Sequence, residues 1–292
     1  MSAPEKSSLN SDNVPRLGVI AGGGDIPAKL LAACDDAGRD VFLVGFEGQT
    51  DTALTEGRAY MMTRIGAAGQ IISTLKSHNI KDLVLIGSVR RPSLAELKPD
   101  MRTAQFFAKI GLKALGDDGL LKALRHELEN EGFIIHGVHK FMQDLIAVPG
   151  SLGTHKPKKE DWPDIRRGVK ASQLLGQLDI GQAAVVQQGI VLGVEGVEGT
   201  DELIARCGGL QRKGRGPILI KTCKPQQDHD FDMPTIGPQT ARICAARGYA
   251  GIVIEAGRSL VVSADELAVE ANKHKIFVMA VTEQDMTDAA GQ

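Results

Sequence analysis

The chain has 292 residues, 42% hydrophobic and 24% charged, proportions ordinary for a globular protein and long enough for about two domains of roughly 150 residues. A formal net charge of −2 leaves no global basic field to neutralise a nucleic-acid backbone, and 4% aromatics offer few platforms for stacked bases, so nucleic acid is excluded as a partner class. Cys34, Cys207, Cys223 and Cys244 are scattered with no CxxC pair, which argues against structural zinc or a disulfide framework and for a reducing cytoplasm.

Residues 1–14 are polar and read as a disordered lead-in without the apolar core of a secretory signal. No run approaches the roughly 20 apolar residues of a membrane-spanning helix. LGVIA, from Leu17 to Ala21, is short, apolar and β-branched, as a buried parallel strand would be. GGGDIP follows, then the helical pattern AKLLAACDDAG, the strand VFLVGF, the amphipathic helix GAAGQIISTLKSHNI and the strand DLVLIGSV. This alternation is a doubly wound α/β signature. Residues 101–131 read as mainly helical, broken around Gly116 to Gly119, with FIIHGV as a further strand. Pro149 to Pro163 is rich in Pro, Gly and Lys without an apolar period and reads as a linker. Beyond it come a helix (IRRGVKASQLLGQLDI), two strands meeting near Gln188-Gly189, and a helix opening at Thr200 as its N-cap. The strand PILIKTC, the helix TARICAARG, the strands AGIVIEAG and SLVVS, the helix ADELAVEANKHK and the strand IFVMAV complete the chain. The expected fold class is α/β: a Rossmann-like domain at 15–147, a linker at 148–163 and a distinct α/β domain at 164–292.

Several motifs suit phosphate chemistry. Gly22, Gly23 and Gly24 lie between a strand and a helix, where backbone N–H groups can approach a phosphate; a ligand-free tight turn is the alternative. Pro27 occupies the third glycine position of the dinucleotide fingerprint. Glu47, after the second strand, keeps an NAD-dependent oxidoreductase open as an alternative. Arg90 and Arg91 follow the third strand, where a pair of guanidiniums could clamp a phosphate or simply be solvated. Asp117 and Asp118 suit a helix cap, and His136 with His139 lack a third ligand. The densest cluster is KTCKPQQDHDFDMPTIG, Lys221 to Gly237. Asp228, Asp230 and Asp232 alternate, so an extended segment puts them on one face, where a divalent cation would relieve their repulsion. A calcium loop is excluded, because Met233 and Gln239 stand where glycine and glutamate are needed. Lys221 and Lys224 add positive charge, and Gly237-Pro238 suggests a helix N-terminus. EGVEGTD, Glu195 to Asp201, is a second acidic junction; Glu198 and Asp201 could ligate a metal, or they and Thr200 could simply cap a helix.

These motifs in this order (LGVIAGGGDIP, RRP, GDDGLL, VVQQGIVLGVEGVEGTDELI, KPQQDHDFDMPTIGPQT and AGIVIEAGRSL) resemble the metal-dependent UDP-2,3-diacylglucosamine pyrophosphatases of lipid A biosynthesis, from about Leu17 to about Val281. The resemblance implies hydrolysis of UDP-2,3-diacylglucosamine to 2,3-diacylglucosamine 1-phosphate (lipid X) and UMP, with Mg²⁺. It also implies a Rossmann-like domain, a catalytic C-terminal domain, a homodimer, and a substrate lying between the domains. The location would be cytoplasmic, and any inner-membrane contact peripheral. Carried over by residue, Asp232 leads as the acid that binds metal or orients water, Asp228 assists, and Asp230 stands where relatives often carry arginine. Lys224 and Lys221 would neutralise phosphate charge. Gly22 to Gly24, Arg91, Thr200 and Gly237 would contact substrate, and Glu198 and Asp201 would be further metal ligands. A non-catalytic nucleotide-sugar or lipid sensor is the rival from another class.

Overall fold

The structure is a computed structural model that describes residues 15–90, 97–110, 117–224 and 233–287. It divides into two compact units, the first ending at Met142 and the second taking up the chain at Gln143.

The first unit is built on β1 (Leu17–Ala21), β2 (Val41–Phe46), β3 (Ala59–Thr63), β4 (Asp82–Ile86) and β5 (Ile134–Ile135), all parallel in the order β3-β2-β1-β4-β5. β1 and β2 are buried along their whole length, which is why they read as uninterrupted apolar runs. Helices α1 (Ile26–Asp36), α2 (Ala68–Ser77), α3 (Met101–Ile110) and α4 (Asp117–Asn130) complete the unit. Pro27 sits in the first turn of α1, where a missing N–H costs nothing. β3 has no counterpart in the sequence reading. It is an edge strand with Tyr60 half exposed, and Ala59 to Met62 contains none of the Val and Ile that mark the neighbouring strands.

The second unit holds a six-stranded sheet of β6 (Gly150–Leu152), β7 (Ala183–Gln187), β8 (Ile190–Val194), β9 (Ile218–Lys221), β11 (Gly251–Glu255) and β13 (Phe277–Val281), in the order β6-β13-β11-β9-β7-β8. The central β13, β11 and β9 are parallel, whereas β6 and β7 run antiparallel to their neighbours. β10 (Thr235–Ile236) and β12 (Leu260–Val261) form a small parallel pair. Alternate strand residues feed two cores. Val185, Leu219, Ile252 and Val278 pack with α6 (Thr200–Gly208), α7 (Pro238–Ala246) and α8 (Ala264–His274). Val186, Ile218, Ile220, Val253 and Phe277 pack with Ile165 and Val169 of α5 (Trp162–Gln177). A short α9 (Glu283–Thr287) follows β13.

The stretch 148–163, expected to be a linker, is instead part of this unit. β6 pairs with β13, Thr154 donates twice to Asn272 Oδ1, and buried Asp161 forms an ion pair with Arg215. Backbone pairing and one buried charge hold it, and neither leaves a hydrophobic period. Thr200 is likewise the first residue of α6 rather than its cap; the cap is Gly199, at φ +82°.

Candidate active site

Strand register brings the charged residues of the second unit to one edge. Lys221, the last residue of β9, stands opposite Ala183 of β7 and Ile254 of β11. Thr222 to Lys224, Glu255, Gln182 and Glu195 therefore crowd the carboxyl end of the central strands, with Glu195 N–H bonded to Ala183 O and Thr222 N–H to Gln182 O. Ligands in open α/β sheets gather at such an edge. The chain leaves it at Lys224 and is described again from Met233, just before β10. Lys221 Nζ reaches across to Thr235 O at 3.1 Å, so one lysine ties the departure point to the return. Asp228, Asp230 and Asp232 belong to the segment between and lie outside the described residues, as does Arg91.

Helix α5 fixes Lys224 through a row of small residues. Gly168, Ser172 and Gly176 are four apart on one face, a rise of about 6 Å per step, against about 6.6 Å for two strand residues. They meet Ile220, Thr222 and Lys224 in turn. A Cβ on Gly168 would come 2.3 Å from Ile220 Cδ1, and one on Gly176 would come 3.0 Å from Lys224 Cα. Between them the Ser172 and Thr222 hydroxyls share a 2.6 Å hydrogen bond. Helix and strand approach this closely because two of the three positions carry no side chain. Just past the helix, Asp179, held at φ +54°, accepts from Lys224 Nζ at 2.6 Å. Lys224 and Lys221 are both buried. Glu255 closes the arrangement: Cys223 N–H donates to Oε2 at 2.7 Å and Gln173 Nε2 to Oε1 at 3.2 Å. The sequence reading found both lysines because they follow a strand. It missed Asp179, Glu255 and the small-residue row, although the four-residue spacing within GVKASQLLG is visible in the chain.

The acidic junction after β8 folds onto itself. Thr200 Oγ1 donates to Glu195 Oε1 at 2.6 Å, and the other oxygen of buried Glu195 accepts from Gln182 N–H at 3.0 Å. Glu198 Oε1 takes Arg206 Nη2 at 2.8 Å and Nε at 3.1 Å, while its Oε2 takes Gly196 N–H at 3.1 Å. The Arg206 guanidinium holds this carboxyl below the usual glutamate range. Glu198, expected to be a metal ligand, is thus Arg206's partner, with both oxygens bonded. Asp201 is exposed in the first turn of α6, where its charge favours the helix N-terminus. Gly237 caps α7, with Pro238 in its first turn.

In the first unit the glycine run does different work. Gly22 N–H bonds Ile86 O and Gly23 N–H bonds Ser88 O, each at 2.8 Å, and Ser88 N–H returns to Gly23 O at 2.9 Å. A Cβ on Gly22 would lie 2.3 Å from Ser88 O. These two glycines let the ends of β1 and β4 zip together, which corrects the expectation that their N–H groups face a phosphate. Gly24, at φ +91°, borders open space. The neighbouring turns close the same way: Arg90 N–H bonds Gln49 Oε1 at 2.6 Å, and Thr50 Oγ1 bonds Ala21 O at 2.6 Å. His136 pairs with Asp82 at 2.6 Å, beside the amino end of β4.

Comparison with known proteins agrees with this two-unit organisation. The LpxI N-terminal domain matches residues 16–145 and the LpxI C-terminal domain residues 148–279. The chain belongs to the LpxI family. It is 36% identical over 277 residues, 92% of this chain and 99% of the relative, to UDP-2,3-diacylglucosamine pyrophosphatase LpxI of Caulobacter vibrioides. Among solved structures, glycinamide-RNase-transformylase T from Mycobacterium tuberculosis matches at 12% identity and a TM-score of 0.23, over 62% of this chain and 44% of that one. The biotin carboxylase subunit of pyruvate carboxylase matches at 15% and 0.21, over 66% and 40%. This chain spans less than half of those structures, and scores this low carry no argument about fold or activity.

For this LpxI family member, the described residues alone do not assemble a cation site. No group of three or more His, Cys, Asp or Glu among them could hold a metal. Glu195, Glu198, Glu255 and Asp179 are each engaged by protein donors. No helix among the described residues is long and apolar enough to cross a membrane.

Proposed function

We propose that this chain hydrolyses the pyrophosphate of UDP-2,3-diacylglucosamine to UMP and 2,3-diacylglucosamine 1-phosphate, at the carboxyl edge of the second unit's sheet. The observation that carries the reading is the pair of buried lysines, Lys221 and Lys224, at the root of the Asp-rich segment. It is supported by membership in the LpxI family and by the name of the Caulobacter relative. Ammonium groups shielded from water interact strongly with a dianionic bridge, because the local dielectric is low; Lys224 shares its charge with Asp179, and Lys221 bonds only a carbonyl among the described residues. Water adds to one phosphorus, and the bond from that phosphorus to the bridging oxygen breaks. The new P–O bond and the leaving phosphate oxygen carry off the elements of water. In this proposal Asp232 orients the water and, with Asp228, holds Mg²⁺. Lys221 and Lys224 balance phosphate charge. When bound, Mg²⁺ would supply Lewis-acid polarisation of the phosphoryl oxygens. A cytoplasmic homodimer completes the proposal.

The dehydrogenase alternative loses its phosphate cradle, since the Gly22 and Gly23 N–H groups are spent on β4. The decisive experiment incubates purified protein with UDP-2,3-diacylglucosamine in Mg²⁺ or in EDTA and scores UMP. UMP released in Mg²⁺ alone is expected. A protein that binds the substrate and releases none would be a sensor. Asp232→Ala should abolish turnover with binding largely intact; near-normal turnover would remove Asp232 from the mechanism.

A further inference from the structure

The outer face of α5 is unlike that of a solvated helix. Its inner face is buried against β9 and β7, so the outer face is free to carry any polar pattern. Arg167 and Lys170 are exposed one turn apart, and neither makes an ion pair among the described residues. Leu174, 49% exposed, and Leu178, 71% exposed, continue the same line at successive turns. The sole acid between Pro163 and Leu178, Asp164, is buried and accepts the Gln188 and Gly189 N–H groups. Beyond the helix, Ile180 is half exposed. Gly181 lies against the Glu195 carbonyl, and Val197, two residues past Glu195, is fully exposed. Of the acids nearby, Asp179 is paired with Lys224 and Glu198 with Arg206, while Asp201 and Glu202 stay exposed in the first turn of α6. In a chain of net charge −2, this strip is cationic at one end and apolar at the other.

The apolar end adjoins the candidate active site. Gly176 sits on Lys224, and Asp179 is bonded to the same lysine. We propose that the strip formed by Arg167, Lys170, Leu174 and Leu178 docks the protein on an anionic bilayer surface, with its apolar end at the lipid and Lys224 beside it. Choosing a bilayer rather than another anionic surface rests on the proposed lipid-linked substrate. Two acyl chains keep such a substrate in the membrane, so the site must come to the bilayer. Cations draw the face to acidic headgroups, and exposed leucines inserted at the boundary remove apolar surface from water.

Co-sedimentation of the full-length protein tests this, using vesicles of phosphatidylethanolamine with phosphatidylglycerol and vesicles of phosphatidylcholine alone. Binding to the anionic vesicles, released by salt, is expected. The pair Arg167→Glu and Lys170→Glu should weaken it by roughly thirtyfold. Leu174→Ser with Leu178→Ser should weaken it by roughly tenfold at any salt concentration. All four side chains are exposed or on the solvent face, and circular dichroism would confirm that the variants fold. Wild-type protein that ignores anionic vesicles, or variants that bind as wild type, would overturn the proposal. So would leucine variants that change the oligomeric state, since the face would then belong to a second copy. Hydrolysis of substrate dispersed in detergent micelles separates the two readings. Variants that lose vesicles but release UMP normally in micelles support docking. A wild type that binds vesicles but releases no UMP in micelles sinks the proposed activity and leaves docking standing.

Discussion

The carboxyl edges of the two sheets answer the same topological opportunity in opposite ways. In the first unit the edge closes on itself: Gly22 and Gly23 bond β4, Gln49 bonds Arg90, and Thr50 bonds Ala21. The groups named here are mostly backbone, and they find partners in the neighbouring turn. In the second unit the edge buries Lys221, Lys224 and Glu195 and ties them through the Lys224–Asp179 ion pair and hydrogen bonds to Thr235 O, Thr200 and Gln182. Burying a charge costs several kcal/mol even when it is paired, and apolar side chains of the same size would serve stability as well or better. Glycines at a sheet edge can thus be packing devices, while clustered buried charge without a packing rationale points to chemistry.

The largest test of that contrast is Lys224→Met. It removes the ammonium bonded to Asp179 at 2.6 Å, which should cost about 3 kcal/mol in urea unfolding. UMP release per folded molecule should fall by roughly a hundredfold. Lost stability with normal turnover would make the second edge no more functional than the first.

Next come two glycines whose Cβ atoms would collide with neighbours. Gly22→Ala drives a methyl to 2.3 Å from Ser88 O, and Gly176→Ala drives one to 3.0 Å from Lys224 Cα. Each should cost about 1–3 kcal/mol. The two are expected to part company in activity. Gly22→Ala should leave kcat of the folded fraction and the KM for substrate unchanged, whereas Gly176→Ala, by shifting Lys224, should lower kcat. A raised KM in Gly22→Ala would restore the first edge as a phosphate site.

Glu255 offers a smaller effect. Glu255→Ala strips the acceptor from Cys223 N–H and should cost about 1–2 kcal/mol. Glu255→Gln keeps an oxygen there and should recover most of the stability and kcat. Failure of glutamine to rescue would mean that the charge itself is used.

Legibility from sequence followed the same physical divide. Strands buried on both faces, such as LGVIA and VFLVGF, announce themselves, because water is excluded from every position. The edge strand β3 and the short β6 do not, since backbone pairing holds them and either residue class fits. At the site, Lys221 and Lys224 were visible as cations after a strand. Their positioners were not: Asp179 reaches Lys224 across 45 residues, and Glu255 reaches Cys223 across 32. The row Gly168, Ser172, Gly176 was legible in principle, but a small-residue stripe has meaning only once the strand facing it is known.

The finest discrimination concerns Glu198, which the sequence offered as a metal ligand and the structure pairs with Arg206. Its carboxyl is held below the ordinary range, chiefly by the Arg206 hydrogen bonds. A depressed carboxyl stabilises the fold above its unfolded value of about 4.3, and that contribution fades as pH falls through the lower folded value. Glu198→Gln should therefore lose roughly 0.5 kcal/mol at pH 7, since the pair is partly exposed. Its stability curve should converge on that of the wild type in acid. Urea titrations from pH 7 down to about 3 would show that convergence. The Mg²⁺ concentration for half-maximal UMP release should be the same in both proteins. A variant that needs much more Mg²⁺, with an unchanged acid limb, would mean that Glu198 exchanges Arg206 for the metal when substrate is bound, and the acidic junction would then belong to the active edge.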